Sequence, residues 1–221
     1  MSSRDPLPKQ APQTVFVVDD DDAVRKALRL MLLTSGHQVE TFSSATELLQ
    51  AMETTRPGCL VSDVRMPGMD GMELLKVLAE RDATLPVVML SAHGDIPMAV
   101  DAMKTGAVEF LEKPADPDVL RRKVVEALAR NAAALSDHHE QQEIRQHLAT
   151  LTPREKQVLD YLADGKDAHT IAQIFGSSHN TVRVQRASIM KKMRADNLAD
   201  LVKMLNRIAG TGNSDTTAGN E

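Results

Sequence analysis

The sequence predicts an α/β domain with a doubly wound parallel sheet, followed by an all-α domain of four helices. Within residues 1–130, five short apolar runs alternate with segments whose apolar residues recur at helical spacing. Alternation of this kind favours a (βα)5 order with helices on both faces of the sheet. From residue 151 onward the strand-like runs cease, and short helical segments separated by a Gly-containing turn have the outline of a helix-turn-helix.

In the first domain, strand-like and helical segments follow one another in order. The strand segments are rich in β-branched residues and almost continuously apolar, as burial on both faces of a parallel sheet requires. Strands are expected at 14–18, 38–42, 59–63, 87–91 and 107–111, and helices at 23–34, 44–54, 72–80 and 96–105. A longer helix starts at Asp118, but its apolar stripe stops before residues 136–143, which are polar on all sides.

Capping residues mark the helix starts of the second domain. Thr152 is expected as an N-cap, with Pro153 in the first turn and Glu155 completing a capping box. Asp167 is expected to cap the second helix. The four helices are predicted at 153–163, 168–175, 179–194 and 198–208.

These patterns divide the chain into five parts. Residues 13–130 are assigned to the α/β domain, 131–150 to a helical linker and 151–209 to the helical domain. The two ends, residues 1–12 and 210–221, have too little apolar surface to fold and are expected to be disordered.

Composition limits the class of protein. The hydrophobic content of 42% over 221 residues is that of an ordinary globular chain, and no apolar run approaches the roughly 20 residues that cross a bilayer. The polar, Pro-rich start does not have the apolar segment of a signal peptide, so no membrane partner and a cytoplasmic location are expected. Cys59 lies in a strand-like run and is expected to be a buried side chain rather than a reactive thiol.

The net charge of −5 is unevenly distributed. Residues 1–130 carry a net charge of −5, whereas residues 151–208 carry +4, which suggests a polyanionic partner for the second domain. With one Tyr, four Phe and no Trp, the chain has few side chains that stack on bases. Duplex DNA is therefore favoured over RNA or single strands.

Acidic residues follow two of the predicted strands where each strand ends. Asp19 and Asp20 come directly after the first strand, and Asp63 closes the third. Ligands gather outside the carboxyl ends of the strands in open α/β sheets, and carboxylate oxygens there suit Mg²⁺. The fourth strand ends at Ser91 and the fifth is followed by Lys113, which add a hydroxyl and an ammonium to the same edge. This set of groups can place a phosphoryl group on an aspartate.

Two neighbours of this cluster have other expected roles. Asp21 and Asp22 are interpreted as caps of the first helix rather than as metal ligands.

The helix at 179–194 presents polar side chains opposite its apolar residues Val182, Ile189 and Met193. Arg binds guanine edges, Gln and Asn bind adenine, and Thr and Lys hold phosphates. The alternative interpretation is a solvated helix face without a nucleic-acid partner. The candidate DNA-binding residues are Asn180, Thr181, Arg183, Gln185, Arg186 and Lys191. Lys191 and Lys192, further along the helix, are expected to contact phosphate or solvent.

Both parts of the chain resemble known families. Residues 14 to about 125 resemble the receiver domain of bacterial two-component response regulators, in the acidic pair, residues 63–71, Ser91, Phe110 and Lys113-Pro114. Residues 151–208 look like the four-helix LuxR-type DNA-binding domain, in residues 151–155, 181–184 and 189–193. Together they resemble the NarL/FixJ class, and residues 91–100 lean towards FixJ.

The resemblance implies a phosphorylated aspartate. Asp63 would accept a phosphoryl group from a phosphohistidine on a sensor histidine kinase. Asp19, Asp20, Asp63 and the main-chain carbonyl of Arg65 would hold Mg²⁺. Lys113 would neutralise the phosphoryl oxygens, as phosphoryl transfer requires. A cis Lys113-Pro114 bond would aim its ammonium inward.

The resemblance also implies a switch. Ser91 would move towards the phosphoryl group and Phe110 would turn into the space vacated, which changes the face of the fourth helix and the fifth strand. Homodimerisation and binding to promoter DNA would follow, with RNA polymerase as a further partner. The chain would be a transcription regulator rather than an enzyme, catalysing only its own phosphotransfer and slow autodephosphorylation.

Two rival classes are weighed against this interpretation. Haloacid-dehalogenase phosphatases also form an aspartyl phosphate, but they need a second acid two residues after the nucleophile, where this chain has Arg65. The second rival is a receiver that signals through protein contacts alone, with the basic domain binding protein or RNA.

Arg65 and His93 are expected to border the phosphoryl group, where His93 either shields it or acts as a base towards water.

Overall fold

The computed structural model describes residues 12–52, 56–81, 84–92 and 96–209. The chain divides into two compact units, Met1–Ser136 and Asp137–Glu221. This division falls inside the predicted linker, and the two predicted disordered ends lie almost entirely outside the described residues.

The first unit is the predicted parallel α/β fold. Its strands pair in the order β2-β1-β3-β4-β5, and every pairing is parallel. The strands are β1 (Thr14–Val18), β2 (Gln38–Phe42), β3 (Gly58–Asp63), β4 (Val87–Ser91) and β5 (Glu109–Glu112). The helices are α1 (Asp22–Thr34), α2 (Ala45–Ala51), α3 (Gly71–Glu80), α4 (Ile96–Thr105) and α5 (Pro117–Ala149).

Strand β5 starts two residues later than the sequence predicts. Gly106 has a φ of 114°, and the Ala107 N–H donates to the carbonyl of Ala102 on α4. These contacts make residues 106 and 107 part of the turn that ends the helix. The apolar residues at the start of the run therefore fill the core without extending the strand.

Successive side chains along a strand point to opposite faces of the sheet, so the core of this unit has two layers. Phe16 and Val18 pack on one side of the sheet, while Val15 and Val17 pack on the other. Cys59 is fully buried in the second layer, and burial raises its pKa to about 12. A thiol with such a pKa is protonated at neutral pH, so the interpretation of Cys59 as a packing residue is confirmed.

Residues of the predicted linker form part of α5, and their packing differs along the helix. Asn131 is 1% exposed and belongs to the first unit, where its amide accepts from Gly58 N and donates to the carbonyl of Thr84, both at 2.8 Å. Residues 136–140 are exposed, as their polar sequence predicts. Ile144 is 4% exposed and packs into the core of the second unit.

The second unit contains the four predicted helices after the end of α5. They are α6 (Pro153–Ala163), α7 (Ala168–Phe175), α8 (His179–Met193) and α9 (Leu198–Ala209). Thr152 and Glu155 form the predicted capping box, and Asp167 caps α7 through the N–H of Thr170. Helix α8 ends one residue early because Arg194 adopts a left-handed conformation with a φ of 54°.

Candidate functional site

Sheet register brings three carboxylates together at the carboxyl edge of the first unit. Val18 on β1 pairs with Ser62 on β3, so the residues that follow each of them lie side by side. One oxygen each of Asp19, Asp20 and Asp63 lies within 4.8 Å of the others. Asp19 and Asp63 are buried and Asp20 is exposed. The acidic cluster predicted from the two strand ends is thus present.

The ammonium of Lys113 lies between two of these carboxylates. Its Nζ is 2.6 Å from Oδ2 of Asp19 and 2.7 Å from Oδ1 of Asp63. The Lys113 N–H donates to the carbonyl of Ser91 at 2.7 Å, which fixes the residue beside the end of β4. The Lys113-Pro114 bond is cis, as predicted.

Burial and the ion pairs shift the pKa values of this site. Burial raises the pKa of Asp63 above its ordinary value, and Lys113 only partly offsets the effect. Burial alone would lower the pKa of Lys113, but its hydrogen bonds to Asp19 and Asp63 outweigh burial and leave this pKa raised. Lys113 is therefore a firmly charged cation, and Asp63 is a carboxylate with little solvent around it.

The donor set of the cluster fits a hard divalent cation. Three carboxylates share the site with one ammonium, which leaves an excess of negative charge. Carboxylate oxygens are the ligands that Mg²⁺ prefers, usually together with water. The exposure of Asp20 leaves one side of the cluster open to solvent.

The remaining predicted residues of this site lie on β4 and β5 or just after β3. Ser91 ends β4 and is 1% exposed. Phe110 on β5 is partly buried against the core. The side chain of Arg65 is exposed. His93 lies outside the described residues, so its proposed effect on the phosphoryl group stays a prediction.

The two acidic residues assigned to capping have separate roles. Asp21 is the N-cap of α1 and accepts from the N–H groups of Ala23 and Val24, as predicted. Asp22 occupies the first turn and pairs with Arg25 and Lys26. The lysine is the main cause of the lowered pKa of Asp22.

Sequence reasoning missed two residues that support the cluster. Arg25 donates to the main-chain carbonyls of Asp19 and Asp20. Gly71 packs so closely on Asp63 that a Cβ atom would overlap the carbonyl oxygen of the aspartate. The spacing of Arg25 from Asp22 could have suggested an ion pair. Contacts to main-chain carbonyls leave no such pattern in a sequence.

Helix α8 of the second unit has the predicted division into two faces. Val182, Ile189 and Met193 are buried. The candidate DNA-binding residues lie on the outer side: Asn180, Thr181, Arg183, Arg186 and Lys191 are exposed, and Gln185 is half-buried. Arginine and amide groups are thus accessible along α8.

The expectation that Lys192 contacts phosphate or solvent is wrong. Its Nζ pairs with Oε2 of Glu155 at 2.6 Å, and Ser188 donates to the other oxygen at 2.6 Å. Glu155 is buried, and Lys192 is the main cause of its pKa of about 2. The helix packing turns Lys192 towards α6 and away from the surface that Lys191 presents.

Comparisons with known proteins agree with this architecture. Residues 15–125 match the response regulator receiver domain, and residues 149–205 match the bacterial regulatory proteins of the luxR family. The fold and these matches define a two-domain response regulator.

Individual relatives identify the family within the response regulators. The chain is 44% identical to the transcriptional regulatory protein FixJ of Azorhizobium caulinodans over 90% of this chain and 93% of the relative. It is 42% identical to FixJ of Rhizobium meliloti, over 86% and 94%. The solved structure of the response regulator StyR is similar with a TM-score of 0.82 and 42% identity, over 89% of this chain and 100% of StyR. The chain belongs to the NarL/FixJ class of two-component response regulators.

Membership of this family establishes the general function of the chain. A receiver domain implies a histidine kinase partner, and a LuxR-type domain implies DNA binding and transcription regulation. Receiver domains generally bind Mg²⁺ at an acidic site, which agrees with the cluster of Asp19, Asp20 and Asp63. The relatives are transcriptional regulators, in line with the expectation of a regulator rather than an enzyme. Among the helices described, none is long and apolar enough to cross a membrane.

Proposed function

We propose that a histidine kinase phosphorylates Asp63 in a reaction that needs Mg²⁺, and that this controls dimerisation and sequence-specific binding to promoter DNA. The observation that carries the proposal is the position of Lys113 between Asp19 and Asp63. A cation beside a buried carboxylate at a solvent-open acidic cluster is the arrangement that phosphoryl transfer to this carboxylate requires.

Each residue of the site has a role that follows from its contacts. Asp63 is the nucleophile, and Lys113 neutralises charge on the transferred oxygens. Asp19, Asp20, Asp63 and the main-chain carbonyl of Arg65 would hold Mg²⁺, which neutralises phosphoryl charge when bound. Ser91 hydrogen-bonds the attached phosphoryl group from the end of β4. The same groups catalyse the slow loss of the phosphoryl group to water, and the chain has no further enzymatic role.

An apolar face on α4 supports the proposed dimer. Ile96, Val100 and Met103 are 79%, 44% and 48% exposed and recur at helical spacing, so they form one accessible stripe. Exposed apolar patches of this kind mark interaction sites. Phosphorylation adds about −1.5 to −2 charges at Asp63. Ser91 would move towards that charge and Phe110 would turn into the space vacated, which reshapes the face formed by α4 and β5.

We expect a stable phosphoryl mimic, beryllofluoride with Mg²⁺, to convert the chain from a weakly associating protein into a dimer. Sedimentation velocity of the full chain measures this change. Met103→Asp should keep the monomer in the presence of the mimic, because it places a charge on the α4 stripe. Lys76→Asp, which changes a charge on the exposed side of α3, is the matched control and should still dimerise. An unchanged mass of the wild type with the mimic would contradict the proposal.

Promoter DNA is the proposed partner of α8, and RNA polymerase is the partner of the bound dimer. In the cytoplasm, the dimer would place two α8 helices on half-sites about one or two helical turns apart. Thr181 lies near the start of α8, where its hydroxyl can bind phosphate, and the amide of Asn180 beside it can bind an adenine edge. Arg183, Gln185 and Arg186 are placed further along to bind base edges.

Replacing Arg183 with alanine should weaken specific binding by about 1–3 kcal/mol and relax discrimination at one base pair, because a guanidinium on a guanine edge would be lost. Lys191→Ala is the control and should weaken all duplexes alike, because it would remove a phosphate contact. Fluorescence anisotropy on a promoter fragment and on a random duplex at two salt concentrations measures both effects. Equal losses on the two duplexes for the Arg183 variant would exclude a base-reading role.

A further inference from the structure

Arg25 on α1 contacts three consecutive carbonyl groups of the acidic segment. Its Nη1 donates to the carbonyl of Asp19 at 2.7 Å and to that of Asp20 at 3.0 Å. Its main-chain N–H donates to the carbonyl of Asp21 at 2.9 Å. One residue thus satisfies every main-chain acceptor between the end of β1 and the N-cap of α1.

The other groups of this segment are fixed by different partners. The Asp19 N–H donates to the carbonyl of Phe42 at 3.3 Å, and the Asp19 carboxylate binds Lys113 and accepts from the Asp21 N–H. Asp20 differs from Asp19, because its side chain is exposed. The contact that orients Asp20 is the bond from Arg25 to its carbonyl oxygen.

We infer that Arg25 is a positioning residue of the proposed Mg²⁺ site, holding the main chain so that the carboxylates of Asp19 and Asp20 converge with that of Asp63. This inference rests on the proposed function of the cluster. The side chain of Arg25 is 16% exposed, its Nη1 donates to main-chain oxygens, and its Nη2 pairs with Asp22, which lies outside the three converging carboxylates. It acts through the two aspartates and does not touch the phosphoryl group.

A cation beside this acidic segment could also act by its charge alone, and a comparison with Lys26 separates the two effects. Lys26 follows Arg25 in the same helix, pairs with the same carboxylate of Asp22 at 2.6 Å, and is 77% exposed. Its contact is with a side chain, whereas Arg25 also binds the carbonyls. Lys26→Ala therefore removes the same charge and the same kind of ion pair while leaving the main-chain contacts intact.

The test compares the wild type, Arg25→Ala, Arg25→Lys and Lys26→Ala as full chains. Isothermal titration with Mg²⁺ gives the dissociation constant, and labelling by acetyl phosphate is measured over a range of Mg²⁺ concentrations. Arg25→Ala should raise the dissociation constant about tenfold or more, the usual effect of losing a group that orients metal ligands. Labelling at saturating Mg²⁺ should recover towards the wild-type level. Arg25→Lys should be intermediate, and Lys26→Ala should stay within about twofold.

Several outcomes would overturn the inference. Equal dissociation constants for Arg25→Ala and Lys26→Ala would show that Arg25 acts only through its positive charge and not through its bonds to the main chain. Loss of labelling at every Mg²⁺ concentration together with a lowered Tm would make it a general folding residue. If Arg25→Ala does not fold, a wild-type dissociation constant for a folded Arg25→Lys variant would contradict positioning by the guanidinium. A wild type that binds no Mg²⁺ would instead refute the proposed function, and the inference with it.

Discussion

Replacing Gly71 with alanine is expected to lower the free energy of unfolding of the first unit by about 3 kcal/mol or more. An added Cβ would overlap the carbonyl oxygen of Asp63 and contact the Met89 side chain. Gly71 also donates its N–H to the carbonyl of Val64 at 2.8 Å, so it cannot move away without losing this bond. Overpacking against main-chain atoms costs more than overpacking against a flexible side chain, because the backbone has few ways to yield.

The same substitution should impair phosphorylation in the molecules that remain folded, because relief of the overlap displaces the main chain of Asp63. Urea denaturation and labelling by acetyl phosphate measure the two effects. Gly68→Ala, in the loop just before α3, is a matched control. Gly68 has a φ of +78° with open space around it, so alanine there should cost about 1 kcal/mol through conformation alone. Equal losses of stability for the two variants would show that the contact with Asp63 is unimportant.

Replacing Glu155 with glutamine is expected to destabilise the second unit by about 2–3 kcal/mol at neutral pH. The buried carboxylate accepts from the main-chain N–H of Thr152, the ammonium of Lys192 and the hydroxyl of Ser188. A neutral amide forms weaker bonds with these donors and leaves Lys192 without its counter-charge. Because Ser188 and Lys192 lie on α8, DNA binding should weaken along with stability.

The stabilisation by the Glu155 carboxylate should decrease as the pH falls. The pKa of Glu155 is lowered to about 2 in the folded chain from an ordinary value of 4.5, chiefly by Lys192. The stabilisation is therefore fully present above about pH 4.5 and is lost as the pH falls towards 2. Urea denaturation at a series of pH values should show the difference in unfolding free energy between wild type and Glu155→Gln shrinking over this window.

Asp160→Asn, an exposed change on the same helix, is the control and should stay within about 0.5 kcal/mol of wild type. A difference that does not depend on pH would contradict the ion-pair explanation.

Most of the fold could be predicted because its signals are local. Apolar runs and helical periodicity located all five strands and the helices between them, and Thr152 and Asp167 marked helix starts correctly. The start of β5 was misplaced because an apolar run does not distinguish a strand from the buried turn before it. The expectation that Lys192 contacts phosphate or solvent was wrong because its partner Glu155 lies 37 residues away in the sequence.

The acidic site was predictable to a similar extent. Asp19 and Asp63 could be brought together from sequence alone because neighbouring parallel strands end at the same edge. The distances from Lys113 required the structure, because they depend on how the chain turns after β5. The contacts of Arg25 and Gly71 involve main-chain oxygens, which carry no residue-specific signal.

Labelling with acetyl phosphate, read by intact mass, tests the central claim most directly. The wild type should gain one phosphoryl group with Mg²⁺ and none in EDTA, and Asp63→Asn should gain none under either condition. Asp101→Asn, which removes an exposed carboxylate from α4, should be labelled like the wild type. Wild-type labelling of Asp63→Asn, or labelling of the wild type without a divalent cation, would contradict the assignment of Asp63 as the Mg²⁺-dependent phosphoacceptor.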